Sequence, residues 1–206
     1  AKAAQAAAQV VAAVAKPGHM AIANPISADE CPEPSVLRVG NDFYVANTTP
    51  QPQTWRPGDG AYPLRKAKDG DFNHLEDVGF VFPPGTAPAW IATDTWAPEF
   101  HFDKELGYTV SFTARNHDGK LCIGMAFADK PEGPYRELVP GPFLQSDEIG
   151  VIDSHIFYDE QTGKRTFFWK EDWNDRPGAK KTTPILMQEL VATKDGPKLV
   201  GARSHT

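Results

Sequence analysis

Basic residues never gather in this chain. Its 21 Lys and Arg are scattered among 27 Asp and Glu, giving a formal charge of −6. Neutralising a phosphate backbone takes clustered cations, so nucleic acid is excluded as a partner. No apolar run reaches the roughly 18 residues that a membrane-spanning helix needs. Cysteine is scarce: Cys31 and Cys122 lie far apart and outside any CxxC pattern. That excludes a structural zinc site and leaves one disulfide or two free thiols open. No G-x-x-x-x-G-K-S/T or G-x-G-x-x-G stretch supports nucleotide binding, and no G-x-S-x-G elbow supports a serine hydrolase. The histidines His74, His101, His117 and His155 are dispersed, and "DEQTG" (159–163) lacks the spacing of a calcium loop. It reads as a hairpin turn with Gly163 at positive φ. No cofactor and no metal ligand set is expected.

What the chain does have is aromatic residues and turn formers. Its 206 residues include 12 Phe, 5 Trp and 5 Tyr, ample for a packed core, with 19 Pro and 17 Gly well spread. That spread suits many short strands joined by turns rather than long helices. The first stretch differs. "AKAAQAAAQVVAAVAK" (1–16) is Ala-rich and helix-favouring, and Pro17-Gly18 ends it. Without an initiator Met or a basic leading region it does not read as an intact signal peptide. A linker, processed leader or appendage is one reading, and a helix docked on a partner is the other. The boundaries follow: 1–25 as an N-terminal segment and 26–206 as the globular part.

From there the sequence repeats loosely. "PEPSVLRVGNDFYVANTT" (32–49), "APEFHFDKELGYTVSFTA" (97–114) and "IDSHIFYDEQTGKRTFFWK" (152–170) share one scheme. Each has an acid, an alternating strand, a polar turn and a second aromatic, β-branched strand. Return segments follow at 62–82, 120–138 and 184–201, each alternating apolar and polar around a Gly-containing turn. About four strands per unit, recurring every 50 to 65 residues or so, is the pattern of β-propeller blades. A sandwich satisfies the same spacing. In a propeller the first strand of each blade lines the central axis, so Glu33, Glu99 and Asp153 would converge on one mouth of the channel. That accounts for an acid set directly before a strand, where burial without a partner would be costly.

Convergent carboxylates suit glycoside hydrolysis. One protonates the leaving oxygen while another activates water, and a third raises the donor's pKa by like-charge repulsion. Read singly, such acids are solvated strand ends or turn caps. Trp90, Trp96, Phe100, Trp169 and Trp173 lie near them in sequence and are candidates to stack on sugar faces. His155, two residues after Asp153, falls on the same side of a regular strand, either touching substrate or held by a structural hydrogen bond.

These residues resemble glycoside hydrolase family 43, five-bladed β-propeller arabinofuranosidases and xylosidases. The likeness runs over about residues 26–201. It rests on "PEPSVLRVGNDFYVANTT", "WAPEFHF", "AFADKPEGPYREL", "IDSHIFYDEQTGKRTFFWK" and "LMQELVATKDGPKLVG", in family order. The resemblance implies an all-β propeller of which this chain supplies about three blades. It also implies inverting hydrolysis of arabinose- or xylose-containing carbohydrate, and it favours secretion. Glu33 stands where the family's general base sits, Asp153 at the pKa modulator, and Glu99 at the W-A-P-D/E acid that supports the site. Glu99, Trp96, Phe100, His155 and Trp169 are the expected substrate contacts. Two departures stand out. The family's base is Asp, and an added methylene at Glu33 displaces the carboxylate by about 1 Å, an error that can cost on the order of 100-fold in rate. The family's general acid follows the third blade, past Thr206, so further blades are expected from a second chain or a missing C-terminal part. Glu132, in an E-G-P triplet within blade two, is rejected for that role. A carbohydrate-binding or structural propeller that has lost its acid–base pair is the alternative.

Overall fold

The computed structural model describes residues 21–175, 178 and 182–205. The Ala-rich stretch read from the sequence therefore lies outside the described residues. Three antiparallel sheets follow one another along the chain. The first holds β1 (Ser35–Val39), β2 (Asp42–Ala46), β3 (Ala61–Ala67) and β4 (Leu75–Phe82). The second holds β5 (Ile91–Asp103), β6 (Gly107–Asn116) and β7 (Leu121–Ala128). The third holds β8 (Gly150–Asp159), β9 (Lys164–Asp172), β10 (Ile185–Val191) and β11 (Lys198–His205). Each strand pairs with its neighbour in sequence, and β5 packs against both β1 and β8. These are three blades of a β-propeller, with the first strand of each innermost. Among the described residues no helix is long and apolar enough to cross a membrane.

The second blade departs from the four-strand expectation. After β7 the chain makes only two isolated bridges back to it among the described residues, Phe127 to Arg136 and Ile123 to Leu144. Pro131, Pro134, Pro140 and Pro142 explain why. Proline donates no backbone hydrogen bond and fixes φ, so this segment cannot build a continuous ladder. Its Glu132 instead accepts the phenol proton of Tyr44 on β2, tying blade two to blade one.

Strand β7 shows how the sequence builds the blade stack. In "LCIGMAFA" every residue is buried, because both faces are covered. The large residues Ile123, Met125 and Phe127 join Ile156, Phe167 and Trp169 in a core shared with blade three. The small ones, Gly124, Ala126 and Ala128, face the core shared with blade one, where Tyr62 and Phe82 of blade one and Phe112 of β6 are fully buried edge to face. Burying each such ring contributes roughly 1.5–3 kcal/mol. Gly124 is there because a Cβ would meet the Phe112 ring at 2.2 Å and Trp90 at 2.8 Å.

At the far end of the inner strands a buried ion cluster pins blades two and three. Arg165 on β9 grips Asp103 with two hydrogen bonds, 2.6 and 2.7 Å, and reaches Glu105 at 2.9 Å. The Nε2 of His101 lies 2.7 Å from the same Asp103 carboxylate, which also accepts the Glu105 and Leu106 amides. Burial opposes the charge on Asp103. Arg165 and the amide donors outweigh it and hold the carboxyl far below the usual carboxylate range. No disulfide forms: Cys31 is half-buried and free, and Cys122 is buried and free.

Candidate active site

The three inner strands share an unusual turn at one register position. Glu33, Ala97 and Asp153 have φ of 51°, 43° and 52°, in the left-handed region that side chains rarely adopt. Each precedes the last residue of its inner strand, Val39, Asp103 or Asp159, by the same number of residues. They are register equivalents. Backbone strain of this kind costs on the order of 1–3 kcal/mol and persists where surrounding structure holds it, commonly at functional sites. Here it turns the chain at the mouth of the axis and swings the side chain inward.

Glu99 is therefore not the register equivalent of Glu33 and Asp153, as the repeat suggested; Ala97 is. The strand's period of two nevertheless puts Glu99 on the side of Ala97. Glu33, Pro34, Ala97, Pro98, Glu99, Asp153 and Ser154 line one open cavity of about 300 Å³. The structure thus brings together all three acids singled out from the sequence.

Each acid has a different donor. Glu33 accepts the Thr48 hydroxyl at 2.5 Å. Thr48 is itself buried, and its oxygen accepts the Ala97 amide at 2.7 Å, so its proton has one direction to point. Glu99 lies 2.8 Å from Nδ1 of His155, across the gap between blades two and three. That contact raises the imidazole's affinity for a proton, against the lesser effect of burial. Asp153 is in contact with the Lys170 ammonium, and its amide donates to the Thr113 hydroxyl at 3.0 Å. Thr48, Thr113 and Lys170 were not singled out in sequence. A signal existed, since each follows the first residue of its blade's second strand (Asp42, Gly107, Lys164) by the same interval.

The aromatic assignments need correction. Phe100 is buried in the core between blades one and two, and Trp169 in the core between blades two and three. Neither lines the cavity, because successive strand residues face opposite ways and Phe100 follows Glu99. Trp96 is half-buried, paired with Thr113 between two bulges, and also lies off the cavity wall. Trp90 stacks on Phe112 in the core. The indole of Trp173 donates to Glu171 at 3.2 Å. His155 stays at the rim, its side chain 55% exposed beside Glu99. Among the described residues no three His, Cys, Asp or Glu side chains come together as metal ligands.

Three blades whose innermost strands present Glu33, Glu99 and Asp153 to one open cavity are those of a β-propeller. The chain belongs to glycosyl hydrolases family 43, whose model matches residues 22–205. It is 27% identical over 192 residues to xylosidase/arabinosidase 43B of Humicola insolens, covering 89% of this chain and 32% of that protein. It thus spans about a third of the length of that curated relative. A thermostable family-43 glycoside hydrolase superposes with a TM-score of 0.72 at 22% identity, over 88% of this chain and 55% of the other. The endo-arabinase of Bacteroides thetaiotaomicron VPI-5482 does so at 0.68 and 20%, over 88% and 57%.

Proposed function

We propose that this chain carries the water-activating half of a glycosidase acting on xylose- or arabinose-containing saccharides. The observation that carries the reading is the single cavity shared by Glu33, Glu99 and Asp153. Support for the substrate class comes from the xylosidase/arabinosidase relative. In this scheme Glu33 takes a proton from water, with the Thr48 hydroxyl holding one carboxylate oxygen so that the other faces the cavity. Asp153 orients sugar hydroxyls and raises the donor's pKa through its negative charge. Glu99, held by His155, adds a third acceptor for sugar hydroxyls. The proton donor is a further carboxylic acid and not Glu132, which is engaged by Tyr44. Attack of water on the face opposite the leaving group gives inversion at the anomeric carbon.

Hydrolysis of aryl β-xylosides and aryl α-arabinofuranosides by the protein and its Glu33→Gln and Asp153→Asn variants tests this. Each variant is expected to lose at least about 100-fold in kcat/KM, and proton NMR of fresh product should show the inverted anomer. Equal turnover in all three proteins would remove these acids from the chemistry. One observation favours a second reading, a propeller that binds saccharide without cleaving it: the longer Glu33 where the family's pattern has Asp. Xylotriose binding without turnover would decide for it.

A further inference from the structure

One position, on the second strand of each blade or just past it, clasps an inner strand at its positive-φ turn, and the third blade fills it differently. Thr48 holds Glu33 of its own blade and the amide of Ala97 on the next. Thr113 accepts the amide of Asp153 on the next blade. Lys170 occupies the corresponding place in blade three, its backbone paired with Ile152 and its ammonium on the Asp153 carboxylate. A small hydroxyl suffices for the clasp in two blades, so clasping alone gives no reason for a lysine. Among the described residues Lys170 is the one Lys or Arg that touches a cavity acid; Glu33 has a neutral hydroxyl and Glu99 an imidazole. Three carboxylates around one cavity repel one another, and a fixed cation beside one of them offsets that repulsion. With side chains 33% and 31% exposed, Lys170 and Asp153 form a partly desolvated pair, in which the attraction outlasts screening by solvent.

We propose that Lys170 is a positioning residue of the reaction: it fixes the direction of the Asp153 carboxylate into the cavity and offsets the negative charge gathered there. The inference rests on the glycosidase reading above. Lys170→Thr is the sharpest test, because it installs the side chain with which the other two blades make their clasp. It is expected to melt as cooperatively as the parent yet lose about 10- to 100-fold in kcat on aryl xyloside, the range of a charge-assisted hydrogen bond, with a smaller change in KM. Lys170→Arg, keeping charge and reach, should restore most of the rate. The carboxyl carbon resonance of Asp153 should move in Lys170→Thr and stay near its parental place in Lys170→Arg. A Lys170→Thr protein with parental kcat, or with an unmoved Asp153 resonance, would overturn the inference. Absence of turnover in the parent would strike the glycosidase reading instead, and the Asp153 resonance would still decide the role of Lys170.

Discussion

The inner strands carry acids at both ends, and the two ends handle them in opposite ways. At the far end Asp103 is buried and saturated by Arg165, His101 and two amides. At the mouth Glu33, Glu99 and Asp153 each have one side-chain donor and share an open cavity. A carboxylate whose lone pairs are all spoken for holds structure. One whose remaining lone pairs face a cavity is available for chemistry.

The largest effect on stability should come from breaking the saturated end. Arg165→Met takes the buried cation away from Asp103 and leaves it only His101 and two amides, which costs about 3–5 kcal/mol; chemical denaturation measures it, and a loss under 1 kcal/mol would mean that the cluster is not desolvated as its burial indicates. Acid should act through the same group. Because the Asp103 carboxyl is depressed in the folded state, its contribution is present above the ordinary carboxylate value near pH 4 and lost as pH falls below it. Melting temperatures followed from pH 6 downward should drop less steeply in Arg165→Met than in the parent.

A smaller effect belongs to the packing between the two ends. Gly124→Ala drives a methyl into Phe112 and Trp90 and should cost about 1–3 kcal/mol by overpacking. A neutral result would show that the small face of β7 can give way.

At the mouth the expected effect is on titration rather than stability. His155 binds its proton more tightly than a free imidazole because of Glu99, so the charged pair is complete below the ordinary histidine value, about 6.5. It is lost as pH rises through the raised one. Glu99→Gln should bring the imidazole titration, read by NMR, back down. An unchanged midpoint would detach Glu99 from His155. The smallest effect concerns thiols: burial pushes Cys122 up to about 11, so alkylation at neutral pH should label Cys31 first.

Much of this was legible in the sequence, for physical reasons that also mark where reading stops. The hairpin scheme repeats because every blade needs an inner strand, a tight turn and a second strand, so Glu33 and Asp153 were found as equivalents. Glu99 was found through a neighbouring register, and the strand's twofold period rescued it. Phe100 and Trp169 were misplaced because alternation says that two faces differ, not which face meets the axis and which meets the next blade. Strand count in blade two failed at its prolines, whose effect on a ladder outweighs alternation. The clasp residues Thr48, Thr113 and Lys170 carry no signal of their own, since a threonine or lysine in or beside a strand is ordinary, and only the interval from the turn marks them.

The most direct measurement is a crystal of the protein soaked with xylotriose. Sugar density in the cavity, with hydroxyls within hydrogen-bond reach of both Glu33 and Asp153, is the predicted result. A sugar bound only elsewhere on the propeller, with the acid-lined mouth unoccupied at saturating xylotriose, would contradict it.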